Sequence, residues 1–220
     1  MAVIDYTSLK NIKINSKECN LTNQELIQSS MTQPYQSDQC GAYALVAAAA
    51  TFEKLPKTIS LSAENLAVNE EIEVKLDESN DFHEIASKIY KLTGNLNQNL
   101  NGYVEKNGYN NPLTLIEVAK QLGLSAKMYF TSDGIVNMSK MHPDGGNYTP
   151  ETFIIGENQI ALSVMVTFNK TYHWIARSSD NSYFDSLRNF YPGDKYGRVG
   201  ALWPSRPYID FGLTILLTNK

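Results

Sequence analysis

The sequence predicts an α+β fold, with helices first and antiparallel strands last. Three observations carry this. The run from Cys40 to Ala50 is apolar and Ala-rich without a break, the composition of a helix buried on all sides. Residues 81–92 set Phe82, Ile85, Ile89 and Leu92 at helical spacing. From residue 160 onward the apolar runs are short, rich in β-branched residues and separated by Ser/Asp/Asn or Gly/Pro turns. Helices and strands segregated along the chain define α+β rather than alternating α/β.

The elements follow in order. Leu21 to Ile27 starts like a capped helix, with Thr22 or Asn23 as the cap. Residues 31–39 are polar, carry Pro34 and form a loop. The central helix runs from about Gly41 to Phe52 and stops before Pro56. Residues 57–76 are ambiguous, and Ser62 to Leu66 fit a short helix. The helix at 81–92 can close at Gly94; His83 beside its apolar stripe is a boundary residue, not a ligand. Residues 95–111, rich in Asn and Gly, form a long loop. Pro112 opens the next helix in its first turn and Gly123 ends it.

Residues 126–130 form a strand. Residues 131–150 hold Gly134, Pro143, Gly145, Gly146 and Pro150, together with His142, and are irregular, a candidate substrate loop. Residues 160–168 form a central strand, and residues 212–217 the last one. Between them, residues 190–208 are aromatic and broken by Pro and Gly. Trp174 and Trp203 are core or wall residues, or alternatively border the cleft. No internal repeat is present.

Composition narrows the function classes. At 220 residues and 24.6 kDa the chain suits one well-cored domain spanning 1–220. Nineteen Lys and Arg against 23 Asp and Glu leave a net charge of −4, with no basic footprint for nucleic acid. No 18-residue apolar stretch predicts membrane insertion. The N-terminus lacks the basic-then-apolar pattern of a secretory signal, so the expected location is cytoplasmic, or reached by export without a Sec signal peptide. Two cysteines argue against a disulfide framework and for a reducing compartment. The 2 cysteines and 3 histidines are scattered, so no metal or other cofactor is expected. Cys19 reads as an incidental thiol, and the Asn-x-Thr triplets at Asn20, Asn147 and Asn169 as chance.

Two constellations carry chemistry. Cys40 ends a polar loop and begins the buried helix, where the positive end of the helix dipole favours a thiolate. Far downstream, residues 172–187 read as two short strands around a Ser/Asp/Asn turn. A turn centred near Ser179 sets His173 opposite Asp185, and an acid facing an imidazole fixes its tautomer and supports its charged form. Asp180, in the turn, is the second candidate for that role. A register slip of one residue would send the two side chains to opposite faces.

Cysteine first, histidine on a late strand and then an acid resembles the papain-like cysteine hydrolases, nearest to the bacteriocin-processing, double-glycine leader peptidases. The likeness rests on Gln33 or Gln36, Asp38, Cys40-Gly41-Ala42, His173-Trp174-Ile175 and Asp185, and on a helix ending at Leu122-Gly123 before a strand. The order of elements is shared, without a continuous match. Pro34 stands six residues before the cysteine, where the family usually has its oxyanion glutamine. Gln39 separates Asp38 from Cys40, and Ser186 replaces the proline that follows the family's acid.

The resemblance implies a papain-like fold, with an N-terminal helical part carrying the Cys40 helix and a C-terminal antiparallel sheet carrying His173 and Asp185. It implies a thiol protease working through a thioester, with Cys40 as nucleophile, His173 as base and Asp185 orienting the ring. Gln33 or Gln36 would complete the oxyanion site, and a protein or peptide would be the substrate. The same chemistry also suits a glutamine deamidase or an amide acyltransferase, as in a secreted bacterial effector; the competing class is a non-catalytic binding module.

Overall fold

The computed structural model describes residues 32–34, 36–132, 134, 150–156, 158–166, 171–179, 183–187, 189–191 and 209–219. Outside them lie the expected helix at 21–27, Cys19, Asn20, His142, Asn147, Asn169, Asp180, Trp203, most of 131–150 and all of 192–208.

Helix α1 spans Cys40–Thr51, and every residue from Cys40 to Ala50 is buried. Six alanines and Gly41 give it a slim body that neighbours can approach from all sides. Helix α2, Phe82–Thr93, starts at a capping box: the Asp81 side chain accepts from the Glu84 N–H, and the Glu84 carboxylate accepts from the Asp81 N–H. Its buried residues include the Phe82, Ile85, Ile89 and Leu92 expected from periodicity. Helix α3, Pro112–Gln121, has Pro112 in its first turn and Asn111 as cap, whose side chain accepts from the Leu113 N–H at 3.0 Å. Gly123, just beyond it, takes φ +85°, a conformation that glycine adopts without steric cost.

The short helix expected near Ser62 to Leu66 is not formed. Residues Ile59–Asn65 and Glu70–Leu76 are strands β1 and β2, paired antiparallel from Ile59↔Leu76 to Asn65↔Glu70. The cause is a period of two in both arms. Leu61, Ala63 and Asn65 are buried, and so are Val74 and Leu76, while Glu71, Glu73 and Lys75 are exposed. Strand alternation of this kind outweighs the local helical preference of a Ser-Ala-Glu run. The helical half of the chain thus carries a hairpin of its own.

Among the described residues, the main sheet has six strands in the order β3-β8-β4-β5-β6-β7, paired antiparallel throughout. They span Leu124–Phe130 (β3), Gln159–Val166 (β4), Tyr172–Arg177 (β5), Tyr183–Asp185 (β6), Asn189–Tyr191 (β7) and Ile209–Asn219 (β8). The architecture is therefore α+β, as the segregation of patterns predicts. α1 packs against β5, β4, β6, α2 and α3. Tyr43 of α1 meets Phe82 at 5.6 Å between ring centres, and Phe82 meets Phe184 of β6 at 6.1 Å in an edge contact.

The hairpin register differs from the expected one. β5 and β6 pair Ala176↔Phe184 and Arg177↔Tyr183, which centres the turn on residue 180 rather than 179. Continued by one step, this register sets Asp185 opposite Ile175, with His173 as its diagonal neighbour. A shift of two places leaves side-chain parity intact, so both still lie on one face.

Phe184 is fully buried and joins the sheet to the helices. Phe184→Ala should cost about 3–5 kcal/mol of stability, the usual range for losing a core aromatic ring. Denaturant unfolding measures it, and a loss below about 1 kcal/mol would contradict this packing.

Candidate active site

Cys40 occupies the first turn of α1 and is a free, buried thiol. His173 sits on β5 and Asp185 ends β6, at 3% and 1% exposure. The His173 Nε2–H donates to Asp185 Oδ1 at 2.7 Å. The Leu187 N–H donates to the same oxygen at 2.9 Å, which fixes the carboxylate from a second side. The Cys40 side chain is close enough to the His173 ring to act on it by charge and by hydrogen bonding. With Nε2 committed to Asp185, Nδ1 is the ring nitrogen left for Cys40. The fold thus brings together three residues separated by up to 145 positions of sequence.

Electrostatics follow from this geometry. Burial alone would pull the His173 pKa down by penalising the charged ring. The Asp185 charge and hydrogen bond, joined by those of Cys40, outweigh it and push the value up to about 10. Partial burial raises the Asp38 carboxyl above its ordinary range. Tyr90 and Tyr109 are raised by burial first, then by the nearness of Asp38 and Cys40. Both tyrosines therefore stay neutral within electrostatic reach of Asp38 and Cys40, and the Tyr90 hydroxyl donates to the Gly108 carbonyl at 2.9 Å.

The two glutamines differ. Gln36 is exposed, with φ +59°. Gln33 is 7% exposed and doubly tied. Its N–H donates to the Ser186 carbonyl at 2.8 Å, and its Oε1 accepts from the Ser186 hydroxyl at 2.6 Å. Its Nε2 donates to the Ser37 carbonyl at 2.6 Å. Gln33 thus links the loop before Cys40 to the residue after Asp185. Ser186 was singled out in sequence only as a replacement for proline; its hydroxyl had no local signal.

Trp174 is buried against Gly41 rather than bordering open space: a Cβ on Gly41 would come 3.1 Å from its Cδ1. His83 is half-buried, and its Nδ1 bonds the Tyr43 hydroxyl. Among the described residues, no group of three or more His, Cys, Asp or Glu gathers in a way that could hold a metal ion. No described helix is long and apolar enough to cross a membrane.

A buried thiol at a helix start, beside an imidazole that a carboxylate holds, is an arrangement suited to thiol-dependent acyl chemistry. The chain belongs to the Invasion plasmid antigen J cysteine protease family, whose profile matches residues 32–144, just over half of its length. The matched span contains Cys40 and ends before His173 and Asp185. Among solved structures, the chain is similar to a double glycine motif protease from an AMS/PCAT transporter, in complex with the leader peptide. The identity is 12% and the TM-score 0.36, over 87% of this chain and 91% of that one. No curated protein matches the chain.

The raised His173 value has a consequence for stability. Folding favours the protonated ring, so the contribution is complete below about pH 6.5 and is lost as pH rises through about 10. The double variant His173→Phe/Asp185→Leu removes both charges. The stability gap between wild type and this variant should move steadily against wild type across that window. Denaturant melts at stepped pH measure it, and a gap that does not change with pH would contradict the buried ion pair.

Proposed function

We propose that this chain hydrolyses peptide bonds through a thioester, with Cys40 as nucleophile, His173 as general base and acid, and Asp185 as the group that orients the ring. The supporting observation is the 2.7 Å bond from His173 to Asp185 on a ring whose other side faces Cys40. The Cys40 proton rests on His173 in the resting site, and the thiolate of this thiolate–imidazolium pair attacks the carbonyl carbon. The imidazolium then gives its proton to the departing amine. Water, deprotonated by the same ring, resolves the thioester and releases the acid. The oxyanion is held by the Cys40 backbone N–H and by Gln33, favoured over Gln36 by its burial and its ties to both halves of the site.

The substrate is a peptide segment of a protein. A glutamine side chain, or an amine in place of water, would use the same steps. The products separate these: hydrolysis breaks the chain, whereas deamidation and transfer change its mass and leave it whole. The thiol requires reducing surroundings, whether in the cytoplasm or at the destination of an exported effector.

Peptide libraries incubated with the protein and read by mass spectrometry provide the assay. Cys40→Ala should abolish turnover while the protein remains folded, since alanine suits a helix start. Gln33→Ala should lower kcat on the order of 100- to 1,000-fold, the cost of one lost oxyanion donor. Gln36→Ala should stay near wild type. Turnover persisting in Cys40→Ala would rule out the mechanism, and loss in Gln36→Ala alone would reassign the oxyanion donor.

The Asp185 variants separate orientation from charge. Asp185→Asn should retain more activity than Asp185→Ala, because an amide can still hold a ring, as in Cys-His-Asn sites. Equal kcat values for the two would remove the orienting role.

A further inference from the structure

Helix α1 has no side-chain cap from its own sequence: Gln39 stands at the cap position, and its side chain makes no capping bond. The cap comes instead from 68 positions downstream. Asn110 Oδ1 accepts the Ala42 N–H at 3.0 Å, and Asn110 Nδ2 donates to the Asp38 carbonyl at 2.6 Å. One amide therefore grips the chain two residues before Cys40 and two residues after it. Thr93 Oγ1 lies 2.8 Å from Asn110 Oδ1, and it also reaches the Ile89 carbonyl at 3.2 Å. This contact anchors the amide to the end of α2. Asn110 is 2% exposed, and a hydrogen-bonding side chain so placed has few other orientations.

Gly41 is shaped around this contact. A Cβ there would come within 2.6 Å of Asn110 Cβ and 3.1 Å of Trp174 Cδ1. The backbone next to the thiol is thus held between Asn110 and the residue that follows His173. Both groups act on the chain that carries the sulfur, and Asn110 does so by hydrogen bonds with fixed direction.

We propose that Asn110 is the positioning residue of the nucleophile, fixing the backbone on both sides of Cys40 and so setting its sulfur against His173, given the assignment of those two as nucleophile and base. Asn110 acts through Cys40, with no part in the proton transfers. Its loss displaces the thiol from the imidazole, and the effect falls on reactivity as well as stability.

Iodoacetamide tests this without a known substrate. Its rate of reaction at Cys40 is followed by peptide mapping at pH 6 and pH 9, with Cys19 as an internal reference and melting temperatures taken on the same samples. At pH 6 an ordinary thiol is hardly ionised, so a fast rate reports a sulfur paired with the imidazole. His173→Ala should lose that rate. Asn110→Ala, assayed well below its melting temperature, should be about tenfold slower or more at pH 6, the scale of a small misplacement, and within about threefold of wild type at pH 9.

A folded Asn110→Ala with the wild-type rate at pH 6, beside a slow His173→Ala, would overturn the role of Asn110 alone. A wild-type rate in His173→Ala would instead overturn the pairing of Cys40 with His173, and the role of Asn110 with it. If Asn110→Ala does not fold, Thr93→Val decides, because it keeps Asn110 and frees its amide. A drop of a few-fold at pH 6 supports the role, and an unchanged rate overturns it.

Discussion

The contact between His173 and Asp185 is the one on which the rest of the site depends, because it is an ion pair with almost no access to water. Removing two charges from solvent costs several kcal/mol per ion, and attraction offsets this only when geometry and hydrogen bonding are good. The 2.7 Å bond and the Leu187 N–H on the same carboxylate oxygen meet that condition. The arrangement is also unforgiving. Removing one partner leaves an uncompensated buried charge, at a typical cost of about 3–5 kcal/mol. The pair therefore restrains β5 and β6 relative to each other, and with them the ring that faces Cys40.

The second constraint is the slimness of α1. A helix buried all round must be approached by neighbours on every side, and its alanines permit this where larger residues would hold them away. At Gly41 the approach leaves no room even for a methyl group. Tyr43 and Leu45 supply the bulk further along, where Phe82 and Phe184 stack from helix to sheet. Gly41 and Ala42 thus keep the chain beside the sulfur slim, and Tyr43 begins the bulk directly after them. Close packing at the start is what lets side chains from distant segments reach the backbone beside the sulfur.

Patterns with a short period were legible in the sequence. The spacing of Phe82, Ile85, Ile89 and Leu92 marked one face of α2, and the apolar run from Cys40 marked α1, because each is decided within a dozen residues. The hairpin of β1 and β2 was missed although its signal was equally local. Glu71, Glu73 and Lys75 alternate with Ile72, Val74 and Leu76, but the Ser-Ala-Glu run of the first arm drew attention to helix propensity instead. The turn between β5 and β6 was misplaced by one residue. The shared face of His173 and Asp185 survived because the resulting shift in pairing is even. The choice between Gln33 and Gln36 lay beyond local pattern altogether. What distinguishes them is the Ser186 hydroxyl, 153 positions from Gln33. Asn110 was hidden for a related reason: in the Asn-rich stretch 95–111, only the folded chain shows which amide meets α1.

The same separation explains how the site is assembled. The family profile covers the half that carries Cys40, whereas the imidazole and its acid come from the later strands. Neither half can orient the other through local structure, since a helix start does not determine where a distant strand will lie. Long-range hydrogen bonds do this instead. Gln33 is bound to Ser186 by backbone and by side chain, and Cys40 acts on the His173 ring by charge and hydrogen bonding. Each bond has a partner on either side of the divide, so each forms only when the sheet has closed against α1. The geometry of the proposed site is therefore a property of the finished tertiary structure: with the sheet undocked, the proposed nucleophile would lie apart from its proposed base, and the ring on β5 would have no thiol beside it.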